Sequence, residues 1–329
     1  MGATRPTPPL GVLMVNLGSP DAPTAPALRR YLDQFLSDPL VVDLPRWLWL
    51  PLLRGVILRR RAPRSAELYE RVWGPEGAPL LAITRRQARA LDTALGDDAV
   101  VTVGMRYGNP SMPAGLDALR QAGCHRLICL PMFPQEAGAT VGSVRREFER
   151  ALDELDWDPP RAVVPPHATH PGYLAALAAR VREADAERGP ADLHVFSFHG
   201  IPMSQVRRGD PYPLQCQATA AGLARALGLP PDGWRLVYQS RFGPAAWLQP
   251  YADATVRALA ASHPRLRVIC PGFTADCLET LDEIGEILAR DFRAAGGERL
   301  DLVPCLNDHP LWIEALVDLV TTCAADIRD

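Results

Sequence analysis

The 329-residue sequence contains no lysine, so all 35 of its basic side chains are arginines. They are balanced by 38 acidic residues, which leaves a formal net charge of −3 at pH 7. This balance gives no general attraction to nucleic acid, and we expect no nucleic-acid partner. Any carboxylate or phosphate must instead be held by guanidinium groups, whose fork of N–H donors matches two oxygens at once.

Paired cysteines and long apolar segments are also missing. The seven cysteines are scattered without a Cys-x-x-Cys pair, which argues against a disulfide framework and favours a reducing compartment. The N-terminal stretch 1–9 lacks the apolar core of a signal peptide. The most apolar window, 47–58, is too short to cross a bilayer, which needs about 20 residues. We therefore expect a cytoplasmic protein, in which this window lies on a membrane surface, lines an apolar pocket, or both.

Strand-like and helix-like segments alternate along the whole chain. Short apolar runs predict buried strands at 11–16, 99–104, 126–130, 193–198, 234–238, 267–271 and 300–304. Segments with helical spacing lie between them, so the pattern predicts parallel sheets. The first strand is not followed by Gly-x-Gly-x-x-Gly, which counts against a dinucleotide-binding oxidoreductase.

A proline-rich passage marks the best domain boundary. Asp158-Pro-Pro160 and Val164-Pro-Pro166 interrupt the alternation, as linkers between domains often do. We expect an N-terminal domain at 1–165, a C-terminal domain at 166–305, and a final helical segment at 306–329 that packs back on the core. Both halves repeat the same order of elements. The predicted fold class is therefore α/β, with two Rossmann-like, doubly wound parallel-sheet domains.

The motif Phe196-Ser-Phe-His199-Gly-Ile-Pro places a histidine at the end of a predicted strand. The strand at 267–271 is likewise followed by a loop and Asp276-Cys-Leu-Glu279. If both strands lie in one sheet, His199 and Glu279 meet at its carboxyl edge, where such sheets bind ligands. A neutral imidazole opposite a carboxylate suits a divalent metal, proton transfer, or both.

Glu279 also has a purely structural interpretation. Asp276-x-x-Glu279 is the acidic analogue of a capping box, in which the carboxylate serves the helix backbone. Glu283 and Glu286 continue the series at spacings of four and three residues, which predicts one helical face. We favour a solvated position for Glu286. For Glu283 we favour a role in passing protons or iron inward.

Several motifs together make the sequence similar to the ferrochelatases, which insert ferrous iron into a porphyrin to make haem. The motifs cover nearly the whole chain in the family's order, and their amino-acid sequences resemble those of the proteobacterial enzymes. Beside the His199 motif they include Arg207-Arg-Gly-Asp-Pro-Tyr212, Tyr238-Gln-Ser-Arg-Phe-Gly243 with Trp247, and 271–281. The resemblance implies two Rossmann-like domains with a porphyrin cleft between them, and protoporphyrin IX and Fe²⁺ as substrates.

The resemblance also assigns site residues. His199 and Glu279 match the family's metallation pair, as catalytic residues and iron ligands, and Asp276 and Glu283 fall on the expected proton and iron path. Five further positions match substrate-binding residues of the cleft: Leu17, Arg61, Arg106, Tyr107 and Trp247. Arg61 matches an arginine near the porphyrin propionates. Leu17 stands where enzymes acting on coproporphyrin tend to have tyrosine.

The chain departs from the family pattern at a few places. Glu136-Ala137 replaces the usual Tyr-Ser, and Cys277 stands where animal enzymes have histidine. Some members hold a [2Fe–2S] cluster with clustered C-terminal cysteines. Cys323 stands alone in this region, so we expect neither that cluster nor any other permanently bound cofactor.

Two alternatives to a protoporphyrin ferrochelatase stay open at this point. One is a chelatase for coproporphyrin III or another tetrapyrrole, and the other is a non-enzymatic haem or porphyrin carrier. A carrier needs a strong axial ligand but no acidic row facing it, so Glu279 favours catalysis. We interpret the window 47–58, with Arg59-Arg-Arg61 beside it, as an apolar cleft lip with a basic rim, and His167-x-x-His170 as structural.

Overall fold

The computed structural model describes residues 9–243 and 245–327, and their strands form two four-stranded parallel sheets. The N-terminal stretch examined for a signal peptide therefore lies almost entirely outside the described residues. The first sheet contains β1 (Leu10–Ser19), β2 (Ala99–Gly108), β3 (Arg126–Pro131) and β4 (Arg161–Val163). The second contains β5 (Leu193–His199), β6 (Trp234–Gln239), β7 (Arg265–Ile269) and β8 (Arg299–Leu302). The predicted α/β class with parallel sheets is confirmed.

The two sheets share one topology. Their strand orders are β2-β1-β3-β4 and β6-β5-β7-β8, so each half places its first strand beside its second and third. All pairings are parallel. Their central strands are buried almost throughout, as expected when helices cover both faces of a sheet.

Helices of the first half precede, connect and follow the strands of its sheet. They are α1 (Ala25–Ser37), α2 (Arg46–Leu52), α3 (Leu58–Val72), α4 (Pro79–Leu95), α5 (Met112–Gln121) and α6 (Ser143–Glu154). A 3₁₀ turn at Gly96–Asp98 and π-helical turns at Leu53–Ile57 and Gly138–Gly142 complete the half. The α4 helix begins with proline at its first position, where a missing backbone N–H costs nothing.

Helices of the second half follow the same scheme. They are α7 (Pro171–Arg188), α8 (Met203–Arg207), α9 (Tyr212–Leu227), α10 (Ala252–Leu259), α11 (Ala289–Ala294) and α12 (Pro310–Ala325). A π-helix at Glu279–Leu288 leads into α11. The spacing of Glu279, Glu283 and Glu286 predicts an α-helix here. The π-helix instead begins at Glu279 and adds an extra residue to each turn.

The largest apolar core joins the two halves. It contains Val12 and Met14 of β1, Phe196 and Phe198 of β5, and Trp312 of α12, all fully or almost fully buried. The final helix thus packs back against the first half. The predicted boundary at 165 separates two sheets, but the halves share this core. One strand, β4, escaped prediction because it spans three residues inside the proline-rich passage.

Candidate metallation site

His199 is the last residue of β5, and Gln239, the last residue of β6, lies beside it in register. The imidazole Nδ1 lies 2.6 Å from the carbonyl oxygen of Gly200. A carbonyl can only accept a hydrogen bond, so Nδ1 carries a proton and the neutral ring keeps its lone pair on Nε2. That nitrogen is therefore the one able to accept a proton or bind a metal.

Gly200 is required by the packing around this histidine. A Cβ atom at Gly200 would lie 3.1 Å from the carbonyl oxygen of Gln239 and 3.4 Å from the Trp247 ring. The Phe273 ring lies on another side, with its centroid 6.4 Å from that of His199. The histidine is thus set against backbone and aromatic surfaces at the sheet edge.

Gln239 connects the histidine strand to the π-helix. Its Nε2 donates to the backbone oxygen of Glu279 at 2.9 Å, and its Oε1 accepts from Ser197 Oγ at 2.7 Å. One buried amide therefore fixes the start of the π-helix to the strands that end at His199. Gln239 lies within the Tyr238–Gly243 motif, but its role does not follow from the sequence, because its partners come from two other elements.

Glu283 lies one turn along the π-helix from Glu279. Its carboxylate accepts from the backbone N–H of Ser240 at 2.8 Å and from the Ser240 hydroxyl. Burial raises the pKa of Glu283, and the charge of Glu279 raises it further. The hydrogen bonds from Ser240 and the charge of His199 lower it, but the net shift is upward. The charges of His199 and Glu279 thus both reach the carboxylate of Glu283.

Asp276 has a different function from the one expected of a helix cap. Its carboxylate accepts from the backbone N–H of Cys305 at 3.0 Å and from Asn307 Nδ2 at 2.7 Å. The π-helix has Leu278 as its N-cap residue and no side-chain cap, so the capping-box interpretation is wrong. Both oxygens of Asp276 hold the C-terminal segment, and its place on a proton path stays a prediction.

Arg61 reaches from α3 of the first half to the second half. Its guanidinium carbon lies 4.3 Å from the centroid of the Phe242 ring. Its Nη1 is buried without a hydrogen-bond partner among the described residues. Burial lowers the pKa of Arg61, and the charge of Glu279 opposes that shift. An arginine with a free donor beside the metallation group fits the carboxylate-binding role that the resemblance implies.

Arg106 and Tyr107 are arranged differently. Arg106 Nη2 and the Tyr107 hydroxyl both donate to Asp38 Oδ2, at 2.6 and 2.9 Å, and Ser143 Oγ donates to the same oxygen at 2.6 Å. Arg146 donates to the other oxygen. Burial disfavours ionisation of Asp38, but hydrogen bonds from Ser143, the Leu40 backbone N–H, Tyr107 and Arg146 outweigh it and lower its pKa to about 2.

This Asp38 cluster was missed by the sequence analysis, which treated Arg106 and Tyr107 only as cleft residues. Their contact with a substrate stays a prediction, because the structure shows their polar groups already committed to Asp38. Trp247 is half-buried, and its Nε1 donates to the carbonyl oxygen of Phe242 at 2.9 Å. Leu17 lies at the end of β1 and packs on the cluster of α1 and α3.

The apolar window forms α2 and the π-helical turn after it, and much of its surface is exposed. Trp47 is 79% exposed, and four more large apolar side chains nearby are more than 40% exposed: Leu44, Leu48, Leu52 and Val56. Trp49 and Leu53 anchor the segment in the core. Ordinary core packing therefore does not explain this window. The exposed surface agrees with the interpretation as an apolar lip.

Glu136, one of the residues that depart from the family pattern, forms an ion pair. Glu136 Oε1 lies 3.1 Å from Arg145 Nη1, and the Glu136 backbone N–H donates to Gln215 Oε1 at 2.7 Å. Ala137 is buried. Beside them, the backbone N–H of Gly138 donates to Asp210 Oδ2 at 2.9 Å. This loop therefore joins the two halves.

Comparison with known proteins agrees with this geometry. The family model for ferrochelatase matches residues 9–324. The chain belongs to the ferrochelatase family. Ferrochelatases of Thioalkalivibrio sulfidiphilus and Pectobacterium atrosepticum are each 48% identical to it, over 94% of this chain and 86% and 97% of theirs. The ferrochelatase of Azoarcus sp. is 49% identical over 93% of this chain and 85% of its own.

Among solved structures, the chain is similar in fold to another chelatase. The sirohydrochlorin chelatase SirB of Bacillus subtilis subspecies spizizenii, solved in complex with cobalt, superimposes with a TM-score of 0.57 at 12% identity. The match covers 97% of this chain and 96% of that one. A ferrochelatase-family chain thus shares its two-domain architecture with other chelatases. The family membership and the enzyme class expected from the sequence, a metal chelatase, are both confirmed.

Proposed function

We propose that this ferrochelatase-family protein inserts Fe²⁺ into protoporphyrin IX to form protohaem, with His199 and Glu279 as its metallation pair. The observation that supports this proposal is the arrangement of His199, Glu279 and Glu283 at the edge of the second sheet. His199 ends β5, Glu279 begins the π-helix, and Gln239 bonds the two elements together. Membership of the family supplies the reaction type, and this group supplies the residues.

Metallation requires two pyrrole N–H protons to leave while Fe²⁺ enters. His199 is suited to accept a proton, because its Nδ1–H is bound to Gly200 and its Nε2 lone pair remains available. The same nitrogen can bind Fe²⁺ in passing, since imidazole is a good ligand for iron. A few open ligands are preferable to a closed cage, because the metal must leave the protein for the porphyrin.

Glu283 adds a second carboxylate to the site, one turn beyond Glu279 along the π-helix. It lines an outer pocket together with Ser240, Arg241, Asp253 and Asp291. We infer that Glu279 and Glu283 form the route by which protons leave or iron enters. Asp276 supports this route indirectly, since its carboxylate fixes the loop before Glu279 through Cys305 and Asn307.

The porphyrin would enter over the apolar lip. Leu17 offers an apolar surface near Glu279, and the free donor of Arg61 is suited to a propionate. These features favour protoporphyrin IX, which has two carboxylates, over coproporphyrin III, which has four.

The lip also suggests where the protein works. None of the described helices is long and apolar enough to cross a membrane. The exposed face of α2, with Arg46 and Arg59 near it, is suited to rest on an anionic membrane surface. We propose a cytoplasmic enzyme with peripheral membrane contact. We also propose that it holds no [2Fe–2S] cluster, which iron and sulfide analysis of the anaerobically purified protein would test.

The test of this function is an anaerobic absorbance assay with Fe²⁺ and, in parallel, protoporphyrin IX or coproporphyrin III. We expect rapid conversion of protoporphyrin IX and slow conversion of coproporphyrin III. Preferred conversion of coproporphyrin III would keep the chemistry but replace the substrate. Tight porphyrin binding without conversion of either would identify a carrier and contradict the proposal.

A further inference from the structure

A small cavity lies behind Glu279, where the two halves meet. Its lining includes side chains from β1, α1, α3 and the loop and first residue of the π-helix, and five of them carry polar atoms: Ser19, Tyr31, Tyr69, Cys277 and Glu279. Its volume is about 10 Å³. That is far too small for a porphyrin, but it is close to the space that one water molecule requires.

Ser19 is the residue in this cavity whose hydrogen bonding is incomplete. It is 3% exposed, and its Oγ has no hydrogen-bond partner among the described residues. A buried hydroxyl without a partner is unfavourable and usually indicates an ordered water. The neighbouring Tyr31 hydroxyl, by contrast, donates to the carbonyl oxygen of Gly18 at 3.1 Å.

Glu279 is the natural second partner for such a water. Within the part of the chain that the structure describes, its carboxylate accepts no hydrogen bond from an N–H or O–H donor, and only the weak donor of the Cys277 thiol lies against it. The charge of Glu279 is nevertheless felt by both Tyr31 and Tyr69. Carboxylate, serine and tyrosine hydroxyls thus face one small space, which supplies the two to four polar partners that a buried water needs.

We propose that this cavity holds one ordered water molecule, which accepts a hydrogen bond from the Ser19 hydroxyl and donates one to the Glu279 carboxylate. Its second hydrogen then faces the hydroxyls of Tyr31 and Tyr69. Ser19 is accordingly a positioning residue, which acts on Glu279 through the water and across the junction of the two halves. This proposal rests on the proposed role of Glu279 in metallation.

The consequence is a carboxylate with a fixed orientation. Glu279 is the first residue of the π-helix, and only its backbone oxygen is held by Gln239. The Cys277 thiol is a weak donor to its side chain, so a stronger partner is needed to hold the carboxylate in one direction. A water fixed by Ser19 provides this restraint from the first half, so its loss should lower kcat more than it raises the KM for porphyrin.

The direct test is a pair of high-resolution crystal structures, of the wild-type protein and of the Ser19→Ala variant. We expect one water within hydrogen-bond distance of Ser19 Oγ and the Glu279 carboxylate in the wild type. In the variant, the water should be lost or displaced, and Glu279 should occupy more than one rotamer. A dry cavity in the wild type would overturn the proposal.

The kinetic test uses a matched pair of equal size, Ser19→Thr and Ser19→Val. Only the first keeps a hydroxyl, so it should stay close to wild type while Ser19→Val and Ser19→Ala lose about fivefold in kcat, as expected for one hydrogen bond. Equal kcat values for the threonine and valine variants would contradict the proposal. Absence of metallation by the wild type would instead contradict the proposed function, while the crystallographic result would still decide whether the water is present.

Discussion

The two halves of the molecule have the same strand order, but their sheet edges differ in how the ionisable side chains are paired. In each half the loop after the third strand leads into π-helical turns, at Gly138–Gly142 and Glu279–Leu288. In the first half the buried carboxylate of Asp38 is fully neutralised by two arginines and two hydroxyls. In the second half, Nε2 of His199 has no hydrogen-bond partner among the described residues. The two edges share one scaffold, and they differ in whether their ionisable group is already paired.

The largest effect is expected from His199→Ala. Loss of a general base typically costs 10² to 10⁴ in rate, so we expect kcat to fall by about 10³-fold. Porphyrin binding, measured by fluorescence quenching, should persist because the apolar cleft is unchanged. The control is His263→Ala, since the His263 ring bonds the hydroxyl of Ser262, its neighbour in the chain. Turnover close to wild type in His199→Ala would place the chemistry elsewhere.

Asp38→Asn should show that the first edge is structural. Removing the charge leaves Arg106 and Arg146 without their shared partner, and breaking a buried ion pair costs about 3 kcal/mol of the free energy of unfolding. Urea denaturation measures this. Asp33→Asn is the matched control, because its ion pair with Arg54 is exposed and should contribute under about 1 kcal/mol. Equal losses in the two variants would argue against the Asp38 cluster.

The same residue predicts how stability depends on pH. The pKa of Asp38 is about 2 in the folded protein and 3.8 ordinarily, so the folded state favours the ionised form. This contribution is fully present above pH 4 and is lost as the pH falls toward 2, by about 2 kcal/mol in total. Urea unfolding of wild type and Asp38→Asn at pH 5 and pH 3 should show a steeper decline in the wild type. Parallel declines would contradict the prediction.

Arg61→Met should give a smaller, purely binding effect. If its free guanidinium donor binds a propionate, the KM for porphyrin should rise about tenfold, which is typical of one lost charged hydrogen bond, while kcat stays near wild type. Arg59→Met is a suitable comparison, because Arg59 is exposed on the same helix. A fall in kcat at unchanged KM would instead connect Arg61 to Glu279 and the metallation step.

Much of the fold follows from local patterns in the sequence. The apolar run near residues 11–16 predicted β1, and the helical spacing of 79–95 matched α4 at both ends. The π-helix at 279–288 could not be foreseen, because carboxylates at spacings of three and four residues suit an α-helix as well. The sequence therefore did not single out Asp282, which is buried and pairs with Arg71 of α3 at 3.3 Å.

The candidate site was only partly predictable. His199 stands at a strand end and Glu279 follows the loop after another strand, both within recognisable motifs, so the two residues could be singled out from the sequence. The Asp38 cluster could not, because Arg106 and Ser143 lie 68 and 105 residues away along the chain. A resemblance to cleft residues suggested substrate contacts for Arg106 and Tyr107, whereas their hydrogen bonds depend on how β2 and α6 meet the end of α1.

The central claim is that His199 at the second sheet edge carries the chemistry, whereas the Asp38 cluster of the first half stabilises the fold. The most direct measurement is the single-turnover rate of Fe²⁺ insertion, per folded molecule, in His199→Ala and Arg106→Gln. We predict that His199→Ala binds porphyrin but does not metallate it, and that Arg106→Gln unfolds more easily yet metallates at nearly the wild-type rate. Fast insertion by His199→Ala together with loss of insertion by folded Arg106→Gln would contradict the account.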